Sequence, residues 1–199
     1  QRLDEAQQPA AISVHHAHAP VRSTTASPVE AVPSSVWHHE PGGFIAEPGD
    51  PVRSAQVERM RGATAPRRTR LRSQGMQIGK DVWLPASTWI DSDYCFLISI
   101  GDHCGFGEEC HILAHDAQMD EFLDAGRVGQ VVIHPSCHIG ARTVVLPGVE
   151  IGPRTIVGAN SVVSRSLPPD TVCAGSPARV ICTLEEYLQE HRRRLKERP

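Results

Sequence analysis

The stretch IHPSCHIGARTVVLPGVEIGPRTIVGANSVV, residues 133–163, carries an aliphatic side chain at every sixth position: Ile133, Ile139, Val145, Ile151, Val157 and Val163. A period of six fits neither the 3.6-residue turn of a helix nor the two-residue alternation of a strand. It is the repeat of a parallel β-helix, in which each hexapeptide supplies one short strand and one turn. Four residues after each aliphatic stand Cys137, Thr143, Val149, Thr155, Ser161 and Leu167, and Gly140, Gly152 and Gly158 directly follow three of them. The pattern predicts a large aliphatic pointing into a narrow core, a mostly small or β-branched residue packed beside it, and Gly or Asn160 carrying the turn through positive φ.

The same period runs upstream in two registers offset by two residues. Ile78, Leu84, Ile90 and Phe96 form one; Tyr94, Ile100, Phe106 and Ile112 form the other, with the slip between Tyr94 and Ser99. A second break follows Ile112, because the distance to Ile133 exceeds a whole number of hexapeptides by three. The intervening HDAQMDEFLDAGRVGQ, residues 115–130, reads as a polar, flexible loop expelled from the repeat, and loops on rigid scaffolds commonly carry binding and catalytic groups.

From about Gln77 onward the chain resembles the hexapeptide-repeat acyltransferases, and within them the sugar and polysaccharide O-acetyltransferases of the maltose and galactoside acetyltransferase type. The stretches that carry the resemblance are ISIGDHCGFGEECHILAHD, VVLPGVEIGPRTIVGANSVVSRSLPPDTVCAGSPARVI and TLEEYL. It implies an all-β solenoid, a left-handed parallel β-helix with a protruding loop and a C-terminal α-helix. It also implies a homotrimer whose active sites lie between subunits, and an acyl-CoA as co-substrate with no permanently bound cofactor.

Acyl transfer from a thioester to a hydroxyl requires a base near neutral pKa, a task suited to imidazole. In the resembling family a histidine at the break between the two blocks of coils has this role, and ILAHD places His115 there. Asp116 adjoins it in sequence, whereas His111, His134 and His138 occupy solenoid turn or face positions. The resemblance also places coenzyme A against Ala141 and Ala159, beside which backbone groups receive the pantetheine arm, and against Arg165 and Arg179, whose forked guanidinium groups suit phosphate. Two departures stand out. Relatives often have an aromatic residue where His138 stands and a further basic residue near Cys182, and the Asn that serves the oxyanion in some relatives is not evident in PASTWIDSDY.

The flanks are different material. Residues 1–55 scatter Pro and His among Ala, Ser and Thr without a hydrophobic period, as in a flexible arm that cannot offset its ordering entropy. Residues 56–76 read as a basic linker or short helix, in which Arg59, Arg61, Arg67, Arg68, Arg70 and Arg72 form a solvated approach to the β-helix at 77–182. At 183–199, Thr183 and Glu186 make a capping box ahead of a helix whose Leu184, Tyr187, Leu188, His191 and Leu195 share one face.

With 199 residues and a net charge of −3, nothing argues for nucleic acid, and no apolar run is long enough to span a bilayer. The six cysteines contain no C-x-x-C pair, and Cys104, Cys110 and Cys137 fall at the small-residue position. They read as core packing in a reducing, cytoplasmic compartment, with no metal site. The expectation is therefore a cytoplasmic O-acyltransferase, most simply an O-acetyltransferase, acting on a hydroxyl of a sugar, glycan precursor or related small molecule with His115 as general base. Three alternatives stand beside it: an N-acyltransferase on an amino sugar, a metal-dependent enzyme of the β-helical carbonic anhydrase type using His111, His115 and His134, and a non-catalytic β-helical scaffold.

Overall fold

The computed structural model describes residues 64–196; the arm at 1–55, with Arg59 and Arg61 beyond it, lies outside them. Helix α1 (Ala65–Ser73) starts with Pro66 in its first turn, where a missing N–H is harmless. Its arginines are not simply solvated. Arg67 donates to the carbonyls of Pro85 and Thr88, Arg68 to that of Val82 at 2.8 Å, and Arg72 to that of Ile78 at 2.9 Å. Those carbonyls belong to the first coil of the described residues, whose β1 and β2 are edge strands of their sheets, so the guanidinium groups of α1 supply donors to that edge.

The chain then winds through three sheets in turn. The first circuit contains β1 (Gln77–Ile78), a bridge at Trp83 and β2 (Trp89–Ile90); the second contains β3 (Ile98–Ile100), β4 (Gly105–Phe106) and β5 (His111–Ile112). An excursion follows, made of β6 (His115–Asp116), α2 (Asp120–Leu123) and β7 (Arg127–Val128). Winding resumes with β8 (Val131–Ile133), β9 (His138–Ile139) and β10 (Val144–Val145), then β11 (Glu150–Ile151), β12 (Ile156–Val157) and β13 (Val162–Val163). The first sheet has the order β1-β3-β8-β11 and the third the order β2-β5-β10-β13, all parallel. The second sheet has the order β4-β9-β12, continued by parallel β14 (Thr171–Gly175) and antiparallel β15 (Ala178–Thr183).

Register explains both breaks in the sequence period. Ile133 stands beside Ile151 and Val145 beside Val163, a circuit of 18 residues or three hexapeptides. Ile78 instead stands beside Ile100, four residues further on than the repeat allows, and Ile100 beside Ile133, fifteen further on. The surplus four residues make a 3₁₀ turn at Cys95–Leu97 that carries Phe96 out of the core, so Phe96 does not continue the first register and is 55% exposed. The surplus fifteen form the excursion, and Ile112 to Ile133 is one hexapeptide step plus that insertion.

Ile100, Phe106, Ile112, Ile133, Ile139, Val145, Ile151, Val157 and Val163 are all buried in one core, each worth roughly 1.5–3 kcal/mol of apolar burial. The residues four positions on have a second use. Cys137 Sγ donates to Gly152 O at 3.0 Å, Thr143 Oγ1 to Gly158 O at 3.1 Å and Thr155 Oγ1 to Pro168 O at 2.7 Å, so a small donor at the inner corner satisfies a carbonyl of the next coil. Cys95, Cys104, Cys110, Cys137 and Cys173 are buried free thiols, and Cys182 is half-buried.

The turns correct one expectation. Ser136, Arg142, Arg154 and Asn160 take positive φ, whereas Gly140, Gly152 and Gly158 do not. Glycine is required there because the next coil passes too close for a side chain: a Cβ on Gly152 would lie 2.5 Å from Pro169 N. Helix α3 (Leu184–Lys196) packs against β14 and β15. Its capping box forms as expected, Thr183 N–H donating to Glu186 Oε2 at 2.8 Å and Glu186 N–H to Thr183 Oγ1 at 3.2 Å. Of its anticipated apolar face, Leu184, Tyr187, Leu188 and His191 are half-buried, while Leu195 is exposed. No helix among the described residues is long and apolar enough to cross a membrane.

Candidate active site

His115 opens the excursion directly after β5, at the corner where the third sheet hands over to the first. Its Nδ1 lies 2.5 Å from Oδ2 of Asp91, a residue only 2% exposed that follows β2 on the neighbouring strand. The same oxygen accepts the backbone N–H groups of His115 at 3.0 Å and Ala114 at 3.3 Å. A carboxylate can only accept, so Nδ1 carries the proton and Nε2 presents its lone pair outward. Tyr94 stacks on the imidazole with ring centroids 4.6 Å apart and planes inclined by 30°, which fixes the plane of the ring.

This environment raises the pKa of His115 above its ordinary value. The hydrogen bond that His115 donates to Asp91 is the chief cause; desolvation opposes it, and the charges of Asp91, Asp93 and Asp116 reinforce it. Asp116, the neighbour in sequence, instead accepts the N–H of Gln118 at 2.9 Å. Sequence reasoning missed Asp91. Its one signal is a carboxylate immediately after the inward aliphatic Ile90, in the strand that pairs with the one leading to His115.

The competing histidines are placed elsewhere. His111 is exposed and stacks on Trp89 at 6.0 Å. His134 pairs through Nε2 with Glu150 Oε1 at 2.6 Å on the first sheet, and His138 lies on the second sheet across from Gly105. Within one chain His111, His115 and His134 do not converge, and among the described residues no group of three or more His, Cys, Asp or Glu is arranged to hold a metal ion.

The four residues assigned to coenzyme A fall into two places. Arg165 follows β13, two strands along the third sheet from β5, which puts it at the corner of His115 and roughly 10 Å along the coil axis. Ala141 and Ala159 instead follow β9 and β12, at the corner where the second sheet passes to the third. Ala159 also borders a shallow groove of about 410 Å³ lined by Trp83, Gly105, His138 and Ile156. Arg179 is exposed on β15, opposite Ala174, with its Nη1 donating to Ala178 O at 2.9 Å. One chain therefore gathers the imidazole with Arg165, and on another side the alanines with the end of the coil that bears Arg179.

The excursion is a hairpin rather than an irregular loop: β6 pairs antiparallel with β7, His115 opposite Val128. Its tip is not uniformly polar, since Phe122 is 83% and Leu123 66% exposed.

Comparison with known proteins accords with this architecture. The family description "Bacterial transferase hexapeptide (six repeats)" matches residues 130–165. The inferred acetyltransferase YvoF of Bacillus subtilis is 35% identical over 115 residues, covering 58% of this chain and 64% of that protein. The inferred colanic acid biosynthesis acetyltransferase WcaF of Escherichia coli is 32% identical over 131 residues, covering 56% of this chain and 71% of that one. A galactoside acetyltransferase solved in complex with coenzyme A shares the fold, with a TM-score of 0.51 at 19% identity over 69% of this chain and 82% of its own. The chain belongs to the hexapeptide-repeat acyltransferases.

Proposed function

We propose that this protein is an O-acyltransferase that moves an acetyl or other small acyl group from coenzyme A to a hydroxyl of a sugar, glycan precursor or related small molecule. The observation that carries the reading is the Asp91–His115 pair: a buried carboxylate holds one imidazole nitrogen and leaves the other free at a corner open to solvent. His115 Nε2 takes the acceptor proton as the acceptor oxygen attacks the thioester carbonyl. The tetrahedral intermediate then collapses, the C–S bond breaks, and the imidazolium returns the proton to the leaving thiolate, giving an ester and coenzyme A. No covalent acyl-enzyme is needed. A backbone N–H serves the oxyanion, because the Asn that some relatives use is not evident in PASTWIDSDY.

Coenzyme A lies against Ala141 and Ala159, with its phosphates met by Arg165 and Arg179. The division of Ala141, Ala159 and Arg179 from His115, with Arg165 at the corner of the base, supports a homotrimer in which each active site is built from two subunits; left-handed coils and a cytoplasmic location rest on the resemblance. WcaF, named for colanic acid biosynthesis, favours a carbohydrate hydroxyl over the amine of an amino sugar. Thiol release from a panel of acyl-CoAs, against sugars, nucleotide sugars and amino sugars, tests the reading: acyl-CoA-dependent esterification supports it, and amide products or the absence of transfer oppose it.

A further inference from the structure

At one inner corner of the coil two cysteines stand in successive circuits. Gly105 pairs with His138 in parallel register, so the residues before them, Cys104 and Cys137, occupy the same position one circuit apart. Both are buried, at 1% and 0% exposure. Their side chains are arranged alike: Cys104 Sγ donates to His134 O at 3.1 Å and Cys137 Sγ to Gly152 O at 3.0 Å, in each case the carbonyl three residues before the neighbour in the next circuit. Two parallel copies of one side chain lie one strand spacing apart, about 4.8 Å. A disulfide needs Cβ atoms within about 3.5–4.5 Å, closer than that translation brings them. Two metal–thiolate bonds in line, each about 2.3 Å as for zinc and roughly 4.6 Å together, do span it.

Packing does not require sulfur here. Thr155 and Thr171 continue the same corner in register with Cys137 and donate to Pro168 O at 2.7 and 2.9 Å, so a hydroxyl serves the coil equally well. Contact between the two thiols lowers the pKa of Cys104 and raises that of Cys137. Burial raises both, and backbone N–H groups of the following circuit lower both, from Cys137 and Ser136 on the first and from Thr155 and Arg154 on the second. Donors for thiolate are therefore in place. The pair also straddles the excursion, Cys104 preceding it and Cys137 following it, so a link between them ties together the two blocks of coils that flank His115.

We propose that Cys104 and Cys137 form a linear, two-coordinate site for a soft closed-shell cation of the Cu(I) class, a clasp across the excursion. Two sulfur–metal bonds form as two thiol protons leave to solvent, and no electron is transferred. Thiolates select such a cation. Zinc, which takes four ligands, finds no third here, since no group of three or more His, Cys, Asp or Glu among the described residues is arranged to hold a metal.

The test titrates the reduced protein with Cu(I) under anaerobic conditions, both folded and during refolding because the sulfurs are buried, and counts the metal that survives a Cu(I) chelator. The unaltered protein keeps one equivalent more than Cys104→Thr, Cys137→Thr or the double variant. Cys182→Ser, which removes the half-buried thiol, keeps that equivalent. Loading raises the melting temperature of the unaltered protein and leaves that of the double variant in place. Equal retention by the unaltered protein and the double variant overturns the site, as does loss of the metal in Cys182→Ser. Where the threonine variants do not fold, X-ray absorption of the loaded unaltered protein decides: two sulfur neighbours support the clasp, and nitrogen neighbours or a third sulfur overturn it.

Discussion

At the scale of single residues, the site turns on Asp91. Oδ2 of this buried carboxylate accepts from two backbone N–H groups and the imidazole, so it fixes the tautomer as well as the position of the ring. As the proposed base, His115 must be neutral to accept a proton, and its raised pKa predicts that activity climbs with pH through a value above the ordinary 6.5. Asp91→Asn removes the charge that favours imidazolium, so the acid limb of the pH–rate profile should move to lower pH. The altered hydrogen bond should at the same time cost roughly 10–10³-fold in kcat. A profile recorded in both proteins checks the sign, and an acid limb that stays in place would assign it to another group. Asp91 was illegible in the sequence because its partnership depends on a register shift of four residues. Only the observed pairing of Ile90 with Ile112 brings it beside His115.

Among the elements, the period of six made legible the inward residues from Ile100 to Val163, because an inward corner admits little besides a large apolar residue, but it placed Phe96 in the core, from which the 3₁₀ turn removes it. It gave the glycines the wrong reason. Their role depends on the closeness of the neighbouring coil, which a single hexapeptide does not contain, and residues such as Arg142 and Arg154 accept the left-handed turn instead. Gly152→Ala should therefore destabilise the protein by about 1–3 kcal/mol through overpacking against Pro169, and thermal melts of the two proteins measure it. The capping box at α3 was readable because it is local: Thr183 and Glu186 satisfy each other within one turn. Thr183→Ala should cost about 1 kcal/mol, visible as a lowered melting temperature with no change in KM for acyl-CoA. The hairpin at β6 and β7 was read only as a flexible loop, since two-residue strands leave no periodic trace.

Considered whole, the coil separates the base from Ala141, Ala159 and Arg179 but not from Arg165, and the proposed trimer would bring the separated groups together across subunits. Subunits bearing His115→Ala and subunits bearing Arg179→Ala should each be impaired alone, the first in turnover and the second in use of acyl-CoA. In randomly mixed trimers, about a quarter of the interfaces would pair two intact halves, so activity should recover after mixing and refolding. If base and phosphate-binding arginine serve the same site within one chain, mixing restores nothing.

The most direct test of the central claim is single-turnover acyl transfer by folded His115→Ala with acetyl-CoA and an accepted hydroxyl substrate. Loss of a general base predicts a rate lower by roughly 10²–10⁴-fold, with the dissociation constant for acetyl-CoA unchanged. A rate equal to that of the unaltered protein would contradict the assignment of His115 and of the mechanism built on it.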